Sequence, residues 1–82
     1  MKKQEILTSV DIVKRSRKAI GITQADLAIL CDVTEKSISN WERGRREPRY
    51  VMLQYIARLA NDAEATRSAL ANIKRMQKGA MG

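Results

Sequence analysis

With 82 residues the chain has room for one domain and a thin core, since a domain this small buries only about 60–65% of the surface its unfolded form exposes. Sixteen lysines and arginines against nine acidic residues leave a formal charge of +7, which favours a polyanionic partner. One cysteine and no histidine exclude an internal disulfide and the usual zinc donor sets, and no run approaches the ~18–20 apolar residues of a membrane span.

Met1 to Thr8 reads as a frayed end. Met1-Lys2-Lys3 is not followed by the apolar core of a signal peptide, so the expected location is cytoplasmic. A first helix is predicted from about Ser9 to Ala19 or Ile20, with Val10, Val13 and Ile20 inward and Gly21 as its stop. Thr23 is a good N-cap for a second helix, and Asp26 stands in its first turn, where a carboxylate complements the dipole. Leu27, Ala28 and Cys31 give that helix one apolar face. At Asp32 the chain must leave the helix through a left-handed backbone conformation, which Gly adopts most cheaply and Asp or Asn tolerate better than other residues. Val33 plugs the turn, and Thr34 caps a third helix that begins at Glu35 and is stopped by Gly44. In it Ile38 and Trp41 face one way, which makes Trp41 a core residue rather than a base-stacking one. Lys36, Ser39, Asn40 and Arg43 face the other way, at i, i+3, i+4 and i+7. Pro48 opens a connector to a fourth helix, roughly Tyr50 to Ala60, with Leu53, Ile56 and Leu59 buried. Asn61 and Asp62 break the chain again, with Asp62 as a cap. A fifth helix from about Ala63 to Lys78 carries Thr66, Ala69, Leu70, Ile73 and Met76 along one stripe, and Gly79 to Gly82 read as frayed.

Two short helices joined by a tight break, followed by a basic cluster, make a helix-turn-helix pattern over Ile22 to Arg49. Its dominant use is to place a short helix in the major groove of DNA. The third helix is ~13 Å long at about 1.5 Å per residue, which suits a groove ~12 Å wide. Its polar face carries groups that match base edges, Lys to guanine and Asn to adenine. Arg43, Arg45, Arg46 and Arg49 crowd the end of that helix. A charge run is ordinarily a solvated face, but beside this motif phosphate contact is the better reading. There is no glycine-rich phosphate loop, nucleophile elbow or pair of carboxylates. Asp11, Asp26, Glu42 and Glu64 are scattered and each has a structural explanation, so neither an enzyme nor a cofactor is expected. Cys31 lies on the apolar side of its helix and reads as a buried, reduced thiol.

The chain resembles the Cro/repressor-type (XRE-like) helix-turn-helix DNA-binding family. The matching residues are Arg17, Gly21-Ile22-Thr23-Gln24, Leu27-Ala28, Val33-Thr34, Ser37-Ile38-Ser39 and Trp41-Glu42-Arg43-Gly44, then Pro48, Leu53, Ile56-Ala57 and Leu59. The likeness covers roughly residues 10 to 60. Asp32 departs from the usual glycine, and Ser16 stands where a leucine is common. The resemblance implies an all-α, five-helix lambda-repressor-like fold, with a helix-turn-helix domain over residues 9–60. Residues 62–78 would form a C-terminal helix that completes the core, builds a dimer interface, or both. The family further implies a partly buried ion pair between Arg17 and Glu42, joining the first helix to the end of the recognition helix. It also implies that Gln24, with the helix N-terminus behind it, holds a DNA phosphate, as backbone donors there favour.

The expected function is sequence-specific transcriptional regulation, most simply repression by occupancy of a palindromic operator. Lys36, Ser39 and Asn40 would read bases, while Glu35 either accepts from cytosine N4 or satisfies the helix N-terminus. Gln24, Arg43, Arg45, Arg46 and the backbone N–H groups near Gly44 would hold phosphates of double-stranded DNA. One recognition helix reads too few base pairs to select a site, so a homodimer is expected. The stripe of Thr66, Leu70 and Ile73 either forms its interface or closes the core of the single chain. Ile29 and Leu30 are more apolar than the turn requires and are covered either by the fifth helix or by a partner chain. No ligand-sensing domain fits in the remaining residues, so control would come from concentration, dimerisation or a protein partner. The stretch from Arg46 to Leu70 also resembles the antitoxin branch of the family, whose members neutralise a toxin and repress their own operon; restriction controller proteins are similar stand-alone chains. A protein-interaction adaptor on this scaffold would have lost the polar groups of its reading face, and Lys36, Asn40 and Arg43 are retained.

Overall fold

The computed structural model describes residues 7–81. Five helices follow one another, α1 (Ser9–Ile20), α2 (Gln24–Cys31), α3 (Glu35–Arg43), α4 (Tyr50–Asn61) and α5 (Ala63–Met81); the described residues contain no strand. The first three helices start alike. Thr8 Oγ1 accepts from the Asp11 amide while the Asp11 carboxylate reaches back to the Thr8 amide. Thr23 and Asp26 repeat this reciprocal pair at α2, and Thr34 Oγ1 accepts from the Ser37 amide at α3. Each cap satisfies amides that a helix start otherwise leaves bare, an effect of about 1 kcal/mol. Thr8 is thus an ordered cap, not part of a frayed end, while Met1 to Ile6 and Gly82 lie outside the described residues.

The stops are left-handed. Gly21 (φ 81°), Asp32 (φ 58°) and Gly44 (φ 77°) close α1, α2 and α3 in turn. At Asp32 the backbone amide folds back on the Ala28 and Ile29 carbonyls, and the turn then hands directly to the Thr34 cap. Asp62 ends α4 and caps α5, its carboxylate accepting from the Ala65 amide.

Val13, Ile20, Leu27, Ile38 and Ile56, drawn from four helices, are fully buried at the centre. Around them lie Ile22, Ala28, Cys31 and Leu70, with Trp41, Leu53 and Leu59 half-buried against the cluster. Each such aliphatic side chain contributes about 1.5–3 kcal/mol by leaving water. α1 lies along α4, α3 closes on α1 and α2, and α5 is laid across α1, α4 and α2. Ile29 and Leu30 are half-buried against the chain's own core, in the one helix that is apolar nearly all round, as a helix covered on several sides must be.

The fifth helix departs from expectation in where its stripe is covered and in where it stops. Thr66 and Leu70, placed at a dimer interface, are each 6% exposed within the single chain, and Thr66 Oγ1 donates to the Leu59 carbonyl at 2.7 Å. They close the chain's own core. Elsewhere on the stripe Ala69 is exposed, Met76 is 71% exposed and Ile73 is half-buried. Finally, α5 continues through Gly79 to Met81; a single glycine costs a propagating helix about 1 kcal/mol and does not by itself stop it.

Three side chains tie helices end to end. Arg67 Nη1 donates to the Ile20 carbonyl at 2.8 Å, and Tyr55 Oη donates to the Leu30 carbonyl at 3.0 Å. Both bonds reach the last turns of helices, where carbonyls lack intrahelical partners. Lys74 Nζ meets Asp26 Oδ1 at 2.7 Å, at the start of α2.

Candidate nucleic-acid interface

Ile38 is fully buried and Trp41 half-buried against the core, so α3 cannot rotate and its other face is displayed. On that face Glu35, Lys36 and Arg43 are exposed, Ser39 and Asn40 partly so, and Arg45 and Arg46 follow exposed in the turn. The side-chain cap of α3 is Thr34, which also shares a hydrogen bond with Ser37 Oγ. Glu35 is therefore not needed as the cap. The residues expected to read bases and four of the expected phosphate contacts thus share one helix, its following turn and the adjoining start of α2.

The turn after α3 is closed on itself. The Gly44 amide bonds the Trp41 carbonyl, and the Arg45 and Arg46 amides bond the Asn40 carbonyl, Arg45 at 2.9 Å. Gly44 makes this possible by its left-handed backbone, with its Cα facing Val10 of α1. These amides, expected to hold phosphates, are used inside the protein.

Behind the displayed face sits a small polar assembly. Arg17 Nε donates to Glu42 Oε2 at 2.6 Å and Nη2 to Oε1 at 3.1 Å, a two-pronged pair linking α1 to the last turn of α3. The Arg17 guanidinium also donates to the Ile22 carbonyl at 3.0 Å, which fixes the segment between α1 and α2. Gln24 Nε2 donates to Glu42 Oε1 at 3.1 Å. The Gln24 amide therefore faces Glu42, and one of its two N–H donors is engaged there. Burial pushes the Glu42 carboxyl up, but the hydrogen bonds from Arg17 and Gln24 and the charge of Arg17 outweigh it and hold the pKa below its ordinary value. The Arg17 guanidinium is held in its charged form chiefly by its bond to Glu42. A carboxylate that is 8% exposed is thus kept ionised, and its charge clamps α1, α2 and α3 together.

Other chemistry is sparse. Burial pushes the Cys31 thiol up to about 11, which leaves it neutral and a poor nucleophile. Among the described residues no group of His, Cys, Asp and Glu could hold a metal ion, and no helix is long and apolar enough to cross a membrane. A cleft of about 640 Å³ between α1 and α4 is lined by Leu7, Ile12, Ala19, Tyr50, Leu53 and Ala57, with Arg15 and Gln54 at its polar edge. It lacks the acid–base pairs of an active site.

Sequence reasoning missed the Gln24–Glu42 bond and the three helix-end tethers. The only signal in the sequence is that Arg67, Lys74 and Tyr55 carry long polar tips on helices next to helix ends, a property too common to single them out.

No curated protein and no solved structure matches the chain. A family model, Helix-turn-helix (HTH_3), matches residues 13–61, from within α1 to the end of α4. That span is more than half of the 82 residues and contains the capped α2, the left-handed turn at Asp32, the displayed face of α3 and the Arg17–Glu42 clamp behind it. The chain belongs to the Cro/C1-type helix-turn-helix family of DNA-binding regulators.

Proposed function

We propose that this protein is a sequence-specific transcriptional repressor that occupies a palindromic operator as a homodimer. Lys36, Ser39 and Asn40 read base edges in the major groove, with Glu35 at the leading end of the helix. Arg43, Arg45 and Arg46 hold phosphates through their side chains, and the remaining N–H of Gln24 holds another at the start of α2. The reading is carried by one observation: α3 is pinned from behind by Ile38, Trp41 and Glu42 and turns Lys36, Ser39, Asn40 and Arg43 outward. A rigid short helix that displays amide and cationic groups is what direct readout requires.

A helix this short contacts only a few base pairs, too few to select one site, so two copies are needed. Two copies on a two-fold axis place two helices in successive major grooves about 34 Å apart. Since Thr66 and Leu70 are occupied inside the chain, the interface draws on surface the fold leaves open, of which Ile73 and Met76 of α5 are part. Selection of bound sequences from random duplex DNA tests both claims together. The expected result is an inverted repeat whose half-sites lie one helical turn apart. Enrichment of a single half-site would remove the dimer, and no enrichment at all would remove sequence-specific binding.

A further inference from the structure

We propose that Lys14 of α1 is a DNA phosphate ligand, so that the first helix, which precedes the two helices of the motif, contributes to the nucleic-acid interface. This rests on the DNA-binding reading above. Val10, Lys14 and Arg17 follow one another at i, i+4 and i+7, which sets them in a row along one side of α1. The two ends of the row fix where it lies. A side-chain carbon at Gly44 would stand 3.5 Å from Val10 Cγ2, so Val10 meets the chain between Arg43 and Arg45. Arg17 grips both carboxylate oxygens of Glu42, the residue before Arg43. Lys14 stands between these two contacts, beside the stretch that carries Arg43 and leads into Arg45 and Arg46. Val10 and Arg17 are half-buried and Lys14 is exposed, so the row is closed at its ends and open to solvent at its middle.

The two carboxylates that feel the Lys14 charge are bonded elsewhere. Asp11 is lowered chiefly by its bonds to Thr8, with the charges of Arg15 and Lys14 adding to them. At Glu42 burial acts upward, while Arg17, Gln24 and lastly the charge of Lys14 act downward. Lys14 is thus close enough to Glu42 for its charge to be felt there, in keeping with its place in the row. Among the described residues it forms no ion pair of its own. Its ammonium has three N–H donors on a flexible four-carbon stem, and these are free to meet a phosphate oxygen beside the arginines. Arg15, the next residue, is turned about 100° around the helix and lines the cleft between α1 and α4 instead.

The test measures binding of the full chain to a fluorescently labelled duplex of scrambled sequence, titrated between about 50 and 200 mM salt. Three variants are used: Lys14→Gln, Lys14→Arg and, as a control for charge alone, the exposed Arg15→Gln. Each phosphate contact adds about 0.9 to the slope of log K against log salt, so over this range the parent should lose about threefold more affinity per protomer than Lys14→Gln. Lys14→Arg keeps the cation, Arg15→Gln removes one that faces elsewhere, and both should keep the parent's slope. A lysine that only steadies Glu42 would change affinity alike at every salt concentration and leave the slope of Lys14→Gln parental. That result, equal slopes for Lys14→Gln and Arg15→Gln, or a Lys14→Arg slope as shallow as that of Lys14→Gln, would overturn the assignment while leaving the DNA-binding reading intact. A parent chain that binds no duplex at all would overturn both.

Discussion

Replacing Arg17 by Ala isolates the energetics of the clamp behind the recognition helix. Glu42 is 8% exposed, and in the variant its carboxylate keeps only the Gln24 amide as a partner. Breaking one side of a buried ion pair typically costs about 3–5 kcal/mol because the survivor is left desolvated. The Arg17 side chain is itself 19% exposed, and water entering the vacated space relieves part of the penalty, so about 2–4 kcal/mol is expected. For a domain of this size roughly 4–8 °C of Tm follows each kcal/mol, which puts the fall at about 8 °C or more at neutral pH. The pH dependence gives a sharper check. In the parent the Glu42 pKa is lowered, so its contribution is present above the unfolded value of about 4.3 and is lost as pH falls through the lower folded value. In Arg17→Ala burial is the dominant influence left, and it raises the pKa. Protonation then relieves the variant as pH falls toward about 4.3, and only below that value does the parent begin to lose its own stabilisation. The Tm gap between the two proteins should be smaller at pH 4 than at pH 7, with the change falling in the acidic part of that range. Thermal melts followed by circular dichroism across that range measure it. A gap of only a degree or two at pH 7, or one that stays constant with pH, would refute the claim that a buried charge is held there.

Replacing Asn40 or Lys36 with Ala should cost about 1–3 kcal/mol at particular base pairs of a selected site, while Arg45→Ala or Arg46→Ala should weaken all sequences alike and flatten the salt slope by about 0.9; equal binding of every sequence by Asn40→Ala and the parent would mean that α3 does not read bases. Asp32→Gly should raise stability by up to about 1 kcal/mol and Asp32→Ala should lower it by a similar amount, because the residue holds a left-handed backbone at φ 58°; denaturant melts check this, and an Ala variant more stable than the Gly variant would contradict it. The Cys31 thiol, pushed up to about 11 by burial, should resist alkylation at pH 8 until denaturant unfolds the chain, and prompt labelling of the native protein would show that α2 opens readily.

The helix starts and stops were legible in the sequence because they are decided within a few residues. A threonine hydroxyl reaches the amide three positions on whatever else the chain does, as at Thr23 and Thr34. A left-handed stop selects Gly or Asp by local sterics alone, and apolar spacing in α3 named Ile38 and Trp41 as the packed face. The order of five helices and the displayed face of α3 follow from such short-range rules. What only the tertiary structure decided is where long side chains end and which stripe of a helix finds cover. Gln24 is expected at a DNA phosphate, and only the fold shows that its amide also turns to Glu42, 18 positions away. Thr66 and Leu70 looked available to a partner but are covered by the chain's own helices, while Met76, two turns further along the same stripe, is not. Periodicity says that a stripe is apolar; it carries no information on how far along the helix its neighbours extend. The bond from Arg67 to the Ile20 carbonyl and the pair of Lys74 with Asp26 likewise exist only because α5 crosses the junction of α1 and α2, a crossing set by the packing of side chains from every helix at once.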